Sequence, residues 1–219
     1  MLQPPVSLAE RVAADIRDLI ARGALRPGQR LSEAGMAERL GVSRNTLREA
    51  FRSLTNEGLV TYEANRGVSV AVPSMAAVID IYRVRRMIEM QALRTAFPQH
   101  PAVARMAAAV DMAEDHGSRK DWLGVGNANM EFHAAIVDLA DSPRLNEFFL
   151  KLATELRLAF GLLDEPEMMH APYVPMNRDL VAMVKRGESE DAARRLEQYL
   201  LQSERAVLAA LTRLNTAHP

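Results

Sequence analysis

The chain of 219 residues contains no cysteine and one tryptophan, and its 27 Lys+Arg nearly cancel its 28 Asp+Glu. The lack of cysteine excludes disulfide frameworks, thiolate zinc sites and cysteine nucleophiles. The net charge of −1 excludes a strongly basic chain that coats nucleic acid through charge alone. Apolar stretches are far shorter than the ~20 residues that span a bilayer, and residues 1–7 lack a signal-peptide pattern. We therefore expect a soluble, cytoplasmic globular protein with no membrane partner.

The charge is distributed unevenly along the chain. Residues 1–73 carry ten Arg, no Lys and eight acidic residues, whereas residues 74–219 carry 17 basic and 20 acidic residues. The two regions therefore have net charges of +2 and −3. Arginine presents a planar fork of donors that suits phosphates and guanine edges. The arginine-only usage of the N-terminal third is therefore compatible with nucleic-acid binding.

The N-terminal third predicts three short helices, at about 7–22, 32–40 and 43–57. Ser7 and Glu10 have the capping-box pattern at the start of the first helix, and Ser43 is a strong N-cap for the third. The second and third helices are separated by a tight turn at Gly41. Two short helices joined by such a turn predict a helix-turn-helix motif.

The third helix carries a row of arginines along one side. Arg44, Arg48 and Arg52 lie at i, i+4 and i+8, and like charges in such a row repel one another. The opposite side is apolar and consists of Leu47, Ala50, Phe51 and Leu54. An uncompensated arginine row that begins at a helix N-terminus fits a helix lying in the DNA major groove. The alternative is an ordinary solvated charged face.

A β-hairpin is predicted directly after this helix. Residues 59–62 form one strand, residues 63–67 a turn, and residues 68–72 a second, alternating strand. A hairpin in this place is a wing, with Arg66 and Gly67 at its tip. The pattern thus predicts a winged helix-turn-helix domain over residues 1–73, which ends where Pro73 stops the strand.

The motifs of this region resemble the GntR family of winged helix-turn-helix regulators. The resemblance is carried by Gly23-x-Leu25-x-Pro27-Gly28-x-x-Leu31-Ser32-Glu33, Leu40-Gly41-Val42-Ser43-Arg44-x-x-Leu47-Arg48-Glu49-Ala50, Gly58-Leu59-Val60 and Arg66-Gly67-Val68. It implies operator reading by Arg44 and Arg48, phosphate or base contacts by Ser43 and Thr46, and minor-groove entry by the wing tip at Gly67. Together with the arginine row and the wing tip, the candidate DNA-binding residues are Ser43, Arg44, Thr46, Arg48, Arg52, Arg66 and Gly67. Ala34 departs from relatives that often have Arg there, so the operator preference is expected to differ.

The rest of the chain, residues 74–219, predicts only helices, at about 75–96, 102–116, 121–140, 144–163, 174–186 and 189–213. We expect a mainly α fold in which the winged helix-turn-helix is followed by an all-α antiparallel helical bundle, whose interior commonly holds a ligand. This combination resembles the FadR-like (FCD) branch of the GntR family. The resemblance is carried by Tyr82-Arg83-Val84-Arg85-Arg86-x-x-Glu89, Asn129-x-x-Phe132-His133 and Gly187-Glu188-x-x-x-Ala192.

The resemblance also raises the question of a metal cofactor. FCD domains commonly hold a divalent metal through an Asp and a His four residues apart and two later His, and the corresponding positions here are Asn129, His133, Asn177 and Tyr199. The spacing implies that these side chains converge on one cavity. One imidazole, two amides and a phenol are poor ligands for Zn, Ni or Mn, so we expect no metal, with His133 as the weak candidate. His170 lies outside the family's ligand positions.

We expect instead a small organic-acid or acyl-type effector, bound by Arg85, Asn129, His133, Asn177 and Tyr199. Arg85 has two interpretations, an ion pair with Glu89 or a contact with an anionic group of the effector. His133 has three: a hydrogen-bonded core residue, a direct effector contact or a metal ligand.

The predicted function is therefore that of a homodimeric DNA-binding transcription regulator, most often a repressor in this family. Two copies of helix 43–57 would bind a short palindromic operator in double-stranded DNA, and the effector would shift the relative placement of the two DNA-binding domains. One alternative is a regulator that has lost its effector response. A remote alternative is an all-α metalloenzyme centred on His133, but no nucleophile, phosphate-loop or paired-carboxylate motif supports an enzyme.

Overall fold

The computed structural model describes residues 7–63, 66–163 and 165–217, with side chains up to residue 213. Its mainly helical architecture, with a winged-helix part followed by a helical bundle, confirms the predicted fold class. The winged-helix part contains α1 (Leu8–Ala21), β1 (Arg30–Leu31), α2 (Glu33–Leu40), α3 (Arg44–Asn56), β2 (Val60–Glu63) and β3 (Gly67–Val70). The bundle contains α4 (Met75–Arg94), α5 (Pro101–Ser118), α6 (Trp122–Asp138), α7 (Pro143–Phe160), α8 (Pro166–His170), α9 (Tyr173–Lys185) and α10 (Ser189–Ala217). None of the helices in these described ranges is long and apolar enough to cross a membrane.

Serine caps fix the starts of the helices that form the DNA-binding motif. The side chains of Ser7, Ser32 and Ser43 each accept a hydrogen bond from the backbone N–H three residues further on. The capping box of Ser7 and Glu10 is confirmed. Between α2 and α3, Gly41 has a φ of 64°, in the left-handed region that glycine adopts without strain. The sharp turn of the helix-turn-helix is therefore encoded locally.

The wing is a three-stranded antiparallel sheet in the order β1-β3-β2. The predicted hairpin is β2 and β3, in which Val60 pairs with Val70 and Glu63 pairs with Gly67. Strand β1 was not predicted, because two residues are too few to show the alternation of a strand. Its Arg30 pairs with Ser69 of β3. Residues 64–65 of the predicted turn lie outside the described residues.

One element of the bundle differs from the prediction. The segment 164–172 was expected to be a loop, but it contains the short helix α8. Pro166 begins this helix, and proline suits that position because its fixed φ is helical and its missing N–H has no helical partner to lose. Five residues are too short for a helical pattern to be recognised in the sequence.

Two hydrophobic cores are in contact through α7. The bundle core is built from its long helices, whereas the core of the winged-helix part is formed mainly by α1, α3 and the sheet. Leu158 of α7 is buried in this second core, with 1% of its surface exposed. Just after α7, a Cβ on Gly161 would lie only 2.9 Å from Cδ of Pro27. The winged-helix part therefore packs directly on the bundle.

Candidate nucleic-acid interface and buried polar cluster

Helix α3 is anchored at its C-terminal end by a two-point ion pair with α1. Arg17 donates from Nε and Nη2 to the two carboxylate oxygens of Glu57, at 2.8 and 2.7 Å. The hydrogen bond from Arg17 is the largest cause that lowers the pKa of Glu57. The predicted apolar side of α3 is confirmed, since its four residues are buried. The N-terminal half of the helix is thereby held with its polar side toward solvent.

The three arginines of the predicted row are all exposed on α3. Arg44 and Arg52 form no ion pair with any described residue. Arg48 does: its Nε lies 2.9 Å from Oε2 of Glu33 at the start of α2. This bond uses only Nε, so the two terminal nitrogens of the Arg48 guanidinium remain available for a base or a phosphate. Glu33 was not predicted as a partner of Arg48.

Ser43 and Thr46 lie together at the exposed N-terminal end of α3. The Ser43 hydroxyl accepts from the Thr46 backbone N–H at 3.1 Å and lies 2.9 Å from the Thr46 hydroxyl. A helix N-terminus favours a phosphate because its free N–H groups and the helix dipole point toward the anion. The geometry is therefore compatible with a phosphate contact at this end of the arginine row.

The wing places Arg66 and Gly67 beside each other at the beginning of β3. Arg66 is paired with Glu63 at 3.2 Å, and both side chains are exposed. Gly67 has a φ of 83°, and a Cβ there would meet nothing within 4 Å, so the backbone conformation rather than space calls for glycine. Arg30, which the sequence analysis missed, donates from Nη2 to the Arg66 carbonyl. Arg30 therefore fastens the wing tip to β1.

A groove with a volume of about 590 Å³ runs between α3 and the wing. It is lined by Glu33, Arg48, Phe51, Arg52, Thr55, Asn56, Tyr62 and Val68. Tyr62 on β2 was not predicted as part of the interface, although 67% of it is exposed. The alternation of β2 puts Tyr62 on the same face as the buried Val60, so no signal in the sequence indicated that it is exposed.

A polar cluster is buried inside the bundle, with Glu89 of α4 at its centre. Glu89 is 0% exposed. Arg85 donates from Nε to Oε1 of Glu89 at 2.7 Å, and Nδ1 of His133 lies 2.6 Å from Oε2. The ion-pair interpretation of Arg85 and the interpretation of His133 as a hydrogen-bonded core residue therefore both agree with the structure. Neither contact excludes an additional contact with an effector.

The cluster continues from His133 through the other positions at which the family holds its metal. His133 Nε2 lies 3.0 Å from the Tyr199 hydroxyl, which is also 3.2 Å from Oδ1 of Asn129. Asn177 donates from Nδ2 to the same Asn129 oxygen at 2.7 Å. Helices α6, α9 and α10 thus bring Asn129, His133, Asn177 and Tyr199 together, as their spacing implied.

Burial and the neighbouring charges set the protonation states of this cluster. Burial by itself would raise the pKa of Glu89, but Arg85 and His133 outweigh it and hold that pKa below its usual range. Burial lowers the pKa of His133 by more than Glu89 raises it, so His133 is neutral. Glu89 then accepts from Nδ1–H, and His133 Nε2 and Asn129 Oδ1 are alternative acceptors for the single hydroxyl proton of Tyr199. Burial raises the pKa of Tyr199 well above 10, so its hydroxyl keeps its proton.

These residues do not fit the divalent metal that FCD domains commonly hold. The only imidazole in the cluster already has hydrogen-bond partners on both nitrogens. The described residues include no group of three or more His, Cys, Asp or Glu that could hold a metal ion. Two neutral amides and a protonated phenol replace the carboxylate and imidazoles that such ions prefer. The four side chains are therefore a poor ligand set for a divalent metal ion.

His170 belongs to a different environment. It lies at the end of α8, 6% exposed, and packs its ring edge against Phe160. A Cβ on Gly126 would be 2.9 Å from its Nε2, so the glycine gives the ring its space. Burial, with the positive charge of Arg157 nearby, lowers the pKa of His170 to about 4. Its neutral ring makes no hydrogen bond to the polar cluster.

A winged helix-turn-helix with an exposed arginine row, joined to an all-α bundle, defines the class of DNA-binding transcription regulators. Residues 8–70 match the model of the bacterial regulatory proteins of the gntR family, and residues 80–202 match the model of the FCD domain. The chain belongs to the GntR family, and within it to the regulators that carry an FCD domain.

Individual relatives are also transcriptional regulators. A solved chain described as a transcriptional regulator GntR from Rhodococcus sp. RHA1 has a TM-score of 0.87 and 38% identity, over 92% of this chain and 98% of that one. The Nta operon transcriptional regulator of Aminobacter aminovorans is 31% identical over 136 residues, 61% of this chain and 64% of that protein, so the chain spans less than two thirds of its length. The galactonate operon transcriptional repressor of Escherichia coli (strain K12) is 25% identical over 173 residues, 69% of this chain and 75% of that protein.

Proposed function

We propose that the protein is an effector-controlled transcription repressor, with a DNA-binding domain over residues 1–73 and an effector and dimerisation domain over residues 74–219. The operator would be contacted by Ser43, Arg44, Thr46, Arg48, Arg52, Arg66 and Gly67. Five of them are exposed along α3 and the wing, and Thr46 and Gly67 are partly exposed, which supports this assignment. The name of the galactonate operon transcriptional repressor supports the sign of regulation.

The observation that carries the effector proposal is unused hydrogen-bonding capacity in the buried polar cluster. Arg85 is 4% exposed, yet its only hydrogen bond among the described residues is the one from Nε to Glu89. Oδ1 of Asn177 is buried and has no donor partner there. Buried polar groups in native proteins are normally hydrogen-bonded, because an unmade bond costs about 1–3 kcal/mol.

The same two groups indicate the chemistry of the effector. The terminal nitrogens of Arg85 suit a carboxylate, which they can bind with two parallel hydrogen bonds. Asn177 Oδ1 requires a hydroxyl or amine donor on the same molecule. Asn129, the neutral His133 and Tyr199 would form the remaining wall. The effector is therefore a small hydroxy or amino acid, which binds without a metal.

We expect a thermal-shift screen of small carboxylic acids, sugar acids among them, to find a ligand that stabilises the protein and changes its operator affinity. Arg85→Met should abolish both ligand effects while the variant still binds operator DNA. Asn177→Leu, which changes no charge, should weaken the ligand in the same way if Arg85→Met folds poorly. The matched control is Arg186→Met, where Arg186 is exposed and paired with Glu188.

Two outcomes would contradict this proposal. A ligand effect that persists undiminished in both Arg85→Met and Asn177→Leu would place the effector elsewhere. A protein that binds its operator but responds to no acid in the screen would favour the alternative, a regulator that has lost its effector response.

The dimer interface is proposed on the outer face of α4. Met75, Ile79 and Met87 lie on one row of this helix and are exposed, Met87 by 72%. Phe148 of the adjacent α7 is also exposed. The same face carries opposite charges, which suit an antiparallel twofold pairing of two copies of the chain. A second copy is the occupant that a palindromic operator requires.

We expect Met87→Asp to raise the dimer dissociation constant roughly tenfold or more, because the symmetric interface would bury two new carboxylates. Analytical ultracentrifugation over a concentration series measures this change. The matched control is Met168→Asp on α8, since Met168 is comparably exposed, at 66%. A dimer that is equally stable in both variants would place the interface on another face.

A further inference from the structure

A second cleft lies where the winged-helix part meets the bundle, well separated in the fold from the wing. Its volume is about 260 Å³, and it is formed between α1, α6 and α7. Its walls comprise Asp18, Ala21, Arg22, Asn127, Met130, Glu131, Ala134, Leu150, Ala153, Thr154 and Arg157. This volume is below the range of sites for drug-sized ligands, so an occupant would have few atoms.

Arg157 of α7 is a buried cation without an anionic partner in this cleft. The residue is 6% exposed. Its Nε is buried and has no hydrogen-bond acceptor, and no carboxylate forms an ion pair with it among the described residues. Burial alone accounts for the lowered pKa of Arg157. Burying a charge without a partner lowers the stability of the folded protein by several kcal/mol. An anion bound at Arg157 would offset this cost.

The carboxylates that line the cleft are already engaged with other arginines. Asp18 is paired with Arg22 at 2.9 Å, and Glu131 is paired with Arg105 at 2.5 Å. A partial negative charge is offered by the C-terminal end of α1. Nη2 of Arg157 reaches this end, since a Cβ on Gly23 would lie 2.6 Å from it. A helix terminus offers only about half a charge, so it offsets the guanidinium incompletely.

The same cleft contains an unused acceptor. Oδ1 of Asn127 on α6 is buried and receives no hydrogen bond in the described part of the chain. An unpaired cation and an unpaired acceptor in one small cleft require complementary groups, an anion and a donor. We propose that this cleft is a binding site for a small carboxylate that also carries a hydroxyl or amino group, with Arg157 holding the carboxylate and Asn127 accepting from the donor.

The position of the cleft gives such binding a regulatory consequence. One wall belongs to α1 of the winged-helix part, and the others belong to α6 and α7 of the bundle. The site is therefore complete only while α1 is packed on α7. A ligand that binds only this arrangement shifts the population toward it and so fixes the placement of the DNA-binding part. This site is separate from the buried polar cluster around Glu89 and does not depend on an effector binding there.

The test is a thermal titration of the full-length protein with glycerate and with propionate, at constant ionic strength. The two probes have the same charge and carbon number, but only glycerate has hydroxyl donors. We expect glycerate to raise the melting temperature by several degrees at 100 mM and propionate to raise it less. In an Arg85→Met background, which removes the proposed effector contact, the glycerate effect should survive the addition of Arg186→Met and disappear on the addition of Arg157→Met. Without ligand, Arg157→Met should melt no lower than Arg186→Met, because it removes an unpaired charge.

Asn127→Asp provides an independent variant of nearly identical shape. It places a carboxylate inside the cleft, so it should raise the melting temperature of the free protein and remove the glycerate response that remains in Arg85→Met. Three results would overturn the proposal. The first is that glycerate does not stabilise the wild-type protein. The second is that the glycerate effect is lost in Arg85→Met but kept in Arg157→Met, and the third is that ligand-free Arg157→Met melts well below Arg186→Met. The second would assign anion binding to the buried polar cluster, and the third would make Arg157 a structural residue.

Discussion

Replacing Glu89 by leucine is expected to lower the free energy of unfolding by about 3–5 kcal/mol, the cost of removing one partner from a buried charge pair. The carboxylate is 0% exposed and bonds both Arg85 and His133. Without it, the Arg85 guanidinium remains buried with no acceptor, and His133 loses the acceptor for Nδ1–H. Urea unfolding at neutral pH measures the change.

The matched control for this experiment is Asp115→Asn on α5. Asp115 also pairs with an arginine four residues away, but both partners are exposed, and such pairs contribute about 0.2–1 kcal/mol. The double variant Arg85→Met, Glu89→Leu should recover much of the lost stability, since apolar replacement of a whole buried pair is often neutral or stabilising. A Glu89→Leu variant as stable as Asp115→Asn would contradict the ion-paired cluster. Recovery in the double variant would indicate that the cluster is retained for binding rather than for stability.

Arg48→Ala is expected to weaken operator binding by about 1–3 kcal/mol per half-site and to relax base preference at the contacted position. The terminal nitrogens of Arg48 are free, while its Nε is held by Glu33 at 2.9 Å. This bond fixes the direction of the guanidinium before DNA arrives, so less side-chain freedom is lost on binding. Fluorescence anisotropy with operator and with random duplexes, over a range of salt concentrations, measures the effect.

The control for this variant is Arg186→Ala, an exposed arginine of the bundle that is paired with Glu188. It should leave both affinities unchanged. If Arg48→Ala weakens operator and random DNA equally, Arg48 contacts only phosphate and carries no sequence preference. If it changes neither, the base-reading assignment of α3 is wrong.

Features that depend on neighbours in the sequence could be predicted from the sequence. The serine caps, the glycine turn and the apolar side of α3 follow from spacing within one or two helical turns. The resemblance to FCD domains further implied that Asn129, His133, Asn177 and Tyr199 would meet, and they form one hydrogen-bonded cluster. Their role in effector binding stays a prediction.

Features created by contacts between distant segments could not be predicted in this way. The bond between Glu33 and Arg48 joins two helices across a turn whose exact angle the sequence does not give. Strand β1 exists because β3 offers it hydrogen bonds, and its two residues carry no pattern of their own. Arg157 looks like an ordinary helical arginine until α1 covers it. In each case the partner, and not the residue type, determines the role.

Leu158 limits how freely the winged-helix part can be combined with the bundle of another protein. Its side chain belongs to a helix of the bundle but completes the hydrophobic core beneath α1 and α3. A chimaera that joins residues 1–73 to a foreign bundle would therefore expose an apolar gap unless the new helix offers a similar side chain in the same place. A movement of α7 also reaches the hydrophobic core shared by α1 and α3 through side-chain packing and need not pass along the linker at Pro73. In this chain, recombination of domains is constrained by the packing of α7 on the winged-helix part, to which Leu158 contributes an apolar side chain.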